Sequence, residues 1–185
     1  MGEYHRSGVD KFVPNICHLV FLFVYKITCL VIFGLFVFVQ VDKERTCYGQ
    51  EYTNTSGDVV RTVSVEKDPD VANVSIDHRF YQWFLWGFIV KIFNLFPLVG
   101  YLCYHMGGQN KRGLALMMFV WQMVGWVTII LLIIAGFFIR FDYFGKKCSD
   151  TFLPDQGDAM VTYLIGGTLV MGYVLFKNAR KLCRG

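Results

Sequence analysis

Residues 114–139 read LALMMFVWQMVGWVTIILLIIAGFFI, twenty-six in a row without a charge. A helix of this sequence is apolar around its whole circumference, so it has no face to turn to water. A run this long is read as a membrane span. At about 1.5 Å per residue it reaches about 39 Å, against roughly 30 Å of bilayer hydrocarbon, which predicts a tilted crossing.

Composition agrees with that stretch. Of 185 residues, 55% are hydrophobic, 17% aromatic and 17% charged. Soluble domains carry about 25% charge, so the class is a small polytopic membrane protein. Working outward from 114–139, three further spans are read. The first runs over about 15–41, behind a short polar start and Pro14. It is too long for a signal-peptide core and no small-residue cleavage site follows, so it reads as a retained anchor. Gly2 follows Met1, but Arg6 stands where myristoylation wants Ser or Thr. The second span covers about 80–104, with Tyr81, Trp83 and Trp86 as interfacial anchors and a kink expected at Pro97. The fourth, about 159–176, is weaker and rich in Gly.

The expected fold is an all-α membrane protein, a four-transmembrane-helix bundle in a single domain over 1–185. Outer loops cover 42–79 and 140–158, a connector 105–113, and a basic tail 177–185. Within 42–79, two Val-rich runs, 59–65 and 71–76, flank the turn sequence Glu66-Lys67-Asp68-Pro69-Asp70. They predict a small β-hairpin, too small to stand alone.

Charge sets the sidedness. The N-terminus, the connector and the tail together carry eight bases and two acids; the two outer loops carry eight bases and twelve acids. The bases tie, but four of them crowd into the tail, whereas those of 42–79 are spread over a long segment. Both termini are therefore expected in the cytoplasm. Of six cysteines, only Cys47 and Cys148 then fall outside, one in each loop, and they are expected to pair. The sequons Asn54-Thr55-Ser56 and Asn73-Val74-Ser75 share that outer side and are N-glycosylation candidates. Cys103 and Cys183, at the inner interface, are candidates for palmitoylation.

Two lysines lie inside spans. Lys26 sits near the middle of the first and Lys91 about ten residues into the second, and no Asp or Glu lies within any span. A Lys at the helix centre costs about 2.5–3.5 kcal/mol on insertion scales. Three readings stand: the lysines snorkel or reach an amide such as Asn94 or Gln122; a partner subunit or a lipid headgroup supplies the negative charge; or they line a path for a solute or proton. Gly87, Lys91, Asn94 and Leu98 share one helix face, which should point into protein. Gly125 and Gly136 on the third span, and Gly166, Gly167 and Gly172 on the fourth, are read as close-packing positions.

Catalytic and metal-binding motifs are absent: there is no HExxH, GxSxG, GxxxxGK[ST] or CxxC. No cofactor or metal is expected, and no enzymatic activity. The plan resembles that of the MARVEL group, the claudin group and the small four-span proteins of insect septate junctions. The shared features are cytoplasmic termini, a longer first outer loop with strand character and a shorter second one. The likeness covers the whole chain but carries no specific motif. The claudin signature, Trp with Gly-Leu-Trp and two cysteines in the first outer loop, is missing, since 42–79 hold no Trp and only Cys47. No claudin site residue is carried over.

The expected function is an accessory, scaffolding or adhesion/junction subunit of a larger assembly in the plasma membrane or another secretory-pathway membrane. Its expected partners are the lipid bilayer and other membrane subunits, not nucleic acid. The alternatives are an oligomeric pore or carrier using Lys26 and Lys91, and a supernumerary subunit of an organellar respiratory complex, which predicts free Cys47 and Cys148.

Overall fold

The computed structural model describes residues 16–39, 46–106 and 111–182. In chain order the elements are α1 (Ile16–Gly34) with a π-helical last turn (Leu35–Val39), β1 (Tyr48–Thr53), β2 (Val59–Ser64), β3 (Ala72–Ser75), α2 (Ile76–Phe93), α3 (Phe96–Met106), α4 (Lys111–Phe141), α5 (Tyr143–Thr151) and α6 (Pro154–Leu182). Three stretches are helical, long and apolar enough to cross a membrane: Leu19–Val39, Ile76–Tyr101 and Leu116–Phe141. The chain is thus a mostly helical membrane protein with a small sheet.

That is three spans among the described residues rather than four. The fourth expected span, 159–176, lies on α6, which begins with Pro154 as its first residue, a position where the missing N–H costs nothing. Asp155, Gln156 and Asp158 occupy its first turns, and Gly and Thr interrupt the apolar run that follows. The polar loop expected over 140–158 likewise contains structure, namely α5 and the start of α6.

Contacts divide the chain into two compact units. One comprises the chain up to Leu35 together with Leu85–Leu131. Its core joins Leu19 and Leu22 of α1, Leu98 and Tyr101 of α3 and Met118 of α4, with Leu95 and Leu114 packed against them. On α1 the buried positions Leu19, Leu22, Lys26, Cys29 and Phe33 recur every three or four residues, whereas Val20, Phe21, Phe23, Val24, Val31 and Ile32 are exposed. Exposed apolar side chains are what a lipid-facing surface requires, so association of these helices rests on packing and hydrogen bonds rather than on exclusion of water. Gly87 makes that packing close: a Cβ there would lie 2.0 Å from the Phe33 ring.

The other unit comprises Phe36–Phe84 and the chain from Leu132 onward. Here Phe36 stacks on Phe84 with centroids 4.4 Å apart, and Trp83 meets Tyr163 edge to face at 5.5 Å. The Trp83 indole donates to the Leu132 carbonyl at 2.8 Å. Gly136 lets Trp83 and Leu164 approach α4, since a Cβ there would lie within 3 Å of both side chains.

The sheet corrects the hairpin expectation. Its order is β2-β1-β3, all antiparallel, so the two Val-rich runs do not pair with each other. Both pair with β1, whose register sets Gln50 opposite Thr62 on one side and Asn73 on the other. The turn-like 66–70 segment is instead the crossover between the two edges. A sequence such as YGQEYT, with polar residues dominating, carries little strand signal of its own; pairing on both sides makes it one.

Candidate functional site

In the first unit the polar site is built around a broken helix. The bend expected at Pro97 appears as a break at Asn94–Leu95, with α2 ending at Phe93 and α3 starting at Phe96. Pro97 has no N–H to return to Phe93, and the Leu98 N–H turns back to the Leu95 carbonyl instead. The carbonyls of Phe93 and Asn94 thus lose their helical donors, and at membrane depth such groups must be satisfied by protein. The Trp121 indole of α4 donates to the Phe93 carbonyl at 3.1 Å, and the Lys26 ammonium of α1 donates to the Asn94 carbonyl at 2.6 Å. Two other helices therefore hold the break.

The expected polar residues gather here only in part. Lys26 and Lys91 are 5% and 1% exposed, and Asn94 is 2% exposed. The Lys91 ammonium lies 5.4 Å from the centroid of the Tyr25 ring, within cation–π range. Lys91 occupies the last turn of α2, where the carbonyl end of the helix dipole favours a cation. The Asn94 side-chain amide donates to the Val90 carbonyl at 2.8 Å. Its Oδ1 has no hydrogen-bond partner among the described residues and points at Gly125, where a Cβ would come within 1.9 Å of it. Lys26 reaches the backbone carbonyl of Asn94, and Gln122 is half-buried on α4. Both lysines are thus buried within this chain.

In the second unit the site is a strap. Cys47 and Cys148 form a disulfide with a Cα separation of 6.0 Å across 101 residues of chain. Both are fully buried. Around it, the Cys47 carbonyl accepts from the Ile76 N–H at 2.9 Å, where β3 turns into α2, and the Cys148 carbonyl accepts from Phe152 and Leu153 at the end of α5. α5 also packs on the sheet. Phe144 lies so close to Gly49 that a Cβ would meet its ring at 2.6 Å, and the Tyr143 hydroxyl donates to the Arg61 carbonyl of edge strand β2 at 2.9 Å. Beside the strap, Arg140 at the end of α4 pairs with Asp150 at 3.1 Å.

The two sequons have different surroundings. Asn73, on β3, is locked against the crossover: its amide donates to the carbonyls of Asp68 and of Val71 (2.7 Å), and its Oδ1 accepts from Gln50 (3.1 Å) and from the Asp68 N–H (3.3 Å). Asn54 stands at the tip of the β1–β2 turn, which Gly57 closes with a φ of +87°, a conformation glycine adopts without strain.

Among the small-residue positions, Gly125, Gly136 and Gly167 are buried, and a Cβ on Gly167 would meet Ile133 at 3.4 Å. At Gly166 and Gly172 a Cβ would meet nothing within 4 Å among the described residues. Cys103 is an exposed free thiol on α3; Cys183 and the N-terminal segment lie outside the described residues. Among the described residues no cluster of His, Cys, Asp or Glu has metal-binding geometry.

Sequence reading missed Trp121, Tyr143 and Phe144. Only the first left a signal, because Pro97 announces an orphan carbonyl four residues earlier at Phe93.

The apolar helices define the class as a multi-pass membrane protein. No family model, no curated protein and no solved structure matches this chain.

Proposed function

We propose that the chain is a non-enzymatic membrane protein acting as an accessory, scaffolding or adhesion/junction subunit of a larger membrane assembly. The observation that carries this reading is the strapped outer unit. With short strands of 4–6 residues and largely exposed faces, the three-stranded sheet depends on packing against a helix, and a disulfide, an aromatic contact and a hydroxyl bond fix it to α5. A surface held rigid in advance loses little conformational freedom on binding. Tyr52, Val59 and Val65 are exposed on and beside that sheet and give it an apolar component. Here α6 is taken as the fourth crossing, both termini as cytoplasmic, and the sheet as facing outward from a plasma or secretory-pathway membrane. The disulfide supports an oxidising compartment on that side and weighs against the respiratory-subunit alternative. The test is native mass in mild detergent, with photocrosslinkers at positions 52 and 59. A defined larger assembly, lost in the Cys47→Ser variant, is expected; a monodisperse monomer without crosslinks opposes the reading.

A second reading is favoured by the broken helix. Interrupted helices flanked by buried cations recur where membrane proteins handle ions or small solutes. An oligomeric pore or carrier would give reconstituted vesicles a flux that Lys91→Met alters. Silence from the pure protein rejects it.

A further inference from the structure

We infer that the chain carries one N-linked glycan, on Asn54, and that the second sequon at Asn73 stays unmodified. The inference rests on the outward placement of the sheet proposed above.

Glycosyl transfer needs the amide nitrogen of the sequon Asn as nucleophile. It attacks the anomeric carbon of an oligosaccharide carried on a lipid pyrophosphate. The new C–N bond forms as the bond from that carbon to the pyrophosphate oxygen breaks, and one amide proton leaves; nothing is oxidised or reduced. The donor is anchored in the bilayer and the transferring enzyme works above its surface, so the acceptor must clear that surface while its amide is free.

Chain reach separates the two sequons before folding. Asn73 is three residues ahead of Ile76, where the apolar helix begins. Three extended residues span at most about 11 Å. Asn54 lies fifteen residues beyond Val39 and twenty-two before Ile76, so the extended chain can carry it about 50 Å from the first span and about 75 Å from the second.

The folded unit makes the same distinction. Both amide hydrogens of Asn73 are engaged, one on the Asp68 carbonyl and one on that of Val71. At Asn54 the hydrogen bonds fall on the other atom: Oδ1 accepts from the backbone N–H groups of Ser56 and Asp58, both at 3.0 Å, and lies 2.7 Å from the Ser56 hydroxyl. Among the described residues nothing holds its Nδ2. The sequon hydroxyl thus already sits against the acceptor amide, at the tip of a turn.

The experiment is synthesis of the full chain with sealed microsomes, then glycosidase, gel and peptide mass spectrometry. The glycosidase converts a glycosylated Asn to Asp, which marks the site in the wild-type chain without substitution. One glycan's worth of gel shift, a one-dalton gain at Asn54 and none at Asn73 are expected, with the shift abolished in Asn54→Gln and kept in Ser75→Ala. A mark at Asn73 overturns the inference, and so does an unmodified chain. Protease added outside the microsomes tells the two failures apart. An unmodified chain whose 46–75 segment is protected refutes the glycan alone, whereas one clipped there refutes the outward placement as well.

Discussion

The ammonium of Lys26 donates to the backbone carbonyl of Asn94 at 2.6 Å, joining α1 to the break between α2 and α3 across 68 residues of sequence. The charge is engaged within its own fold. The bond answers a deficit created elsewhere, since Asn94 loses its helical donor when the chain turns towards Pro97.

Replacing Lys26 by Met keeps the bulk and removes the donor. The Asn94 carbonyl is then buried without a partner, which costs about 1–3 kcal/mol. Thermal unfolding in detergent should show a lower midpoint for Lys26→Met than for the parent. An unchanged or higher midpoint would mean that relief from burying the ammonium outweighs the lost bond.

Trp121 and Pro97 should be coupled. In the parent, Trp121→Phe leaves the Phe93 carbonyl without its indole donor, again at about 1–3 kcal/mol. In a Pro97→Ala background the restored N–H can return to Phe93, so the same substitution should cost less. A double-mutant cycle on unfolding midpoints reads the difference, and strict additivity would refute the assignment of Trp121 as the surrogate donor.

The strap closes a loop of 101 residues. Its loss should destabilise the sheet-bearing unit by about 2–5 kcal/mol. Limited proteolysis of the purified protein is the direct measure, with cleavage between Thr46 and Ser75 accelerating on addition of reductant or in the Cys148→Ser variant. Equal rates with and without reductant would show that α5 holds the sheet unaided.

Two glycines should respond in opposite directions. Gly87→Ala drives a Cβ into the Phe33 ring and should cost about 1–3 kcal/mol through overpacking. Gly166→Ala meets open space in the middle of α6 and should stabilise that helix by up to about 1 kcal/mol. Melting of the two variants side by side tests whether the packed and the open faces are assigned correctly.

Some of this was readable from one dimension. An unbroken apolar run of twenty-six residues admits one solvent, whatever its neighbours do, so 114–139 announced α4 and the membrane. The pairing of Cys47 with Cys148 followed from sidedness by elimination, and Pro97 marked where a helix would fail. Other features had no local cause. β1 became the central strand because β2 and β3 both found it, and nothing in YGQEYT says so. The partner of Lys26 is a carbonyl freed by a turn 68 residues away, and the openness around Gly166 depends on which helices lie beside α6. Solvent preference and missing donors belong to a residue and its near neighbours, so the sequence determined them. Partners belong to pairs that only the folded chain brings within reach, so the tertiary structure decided them.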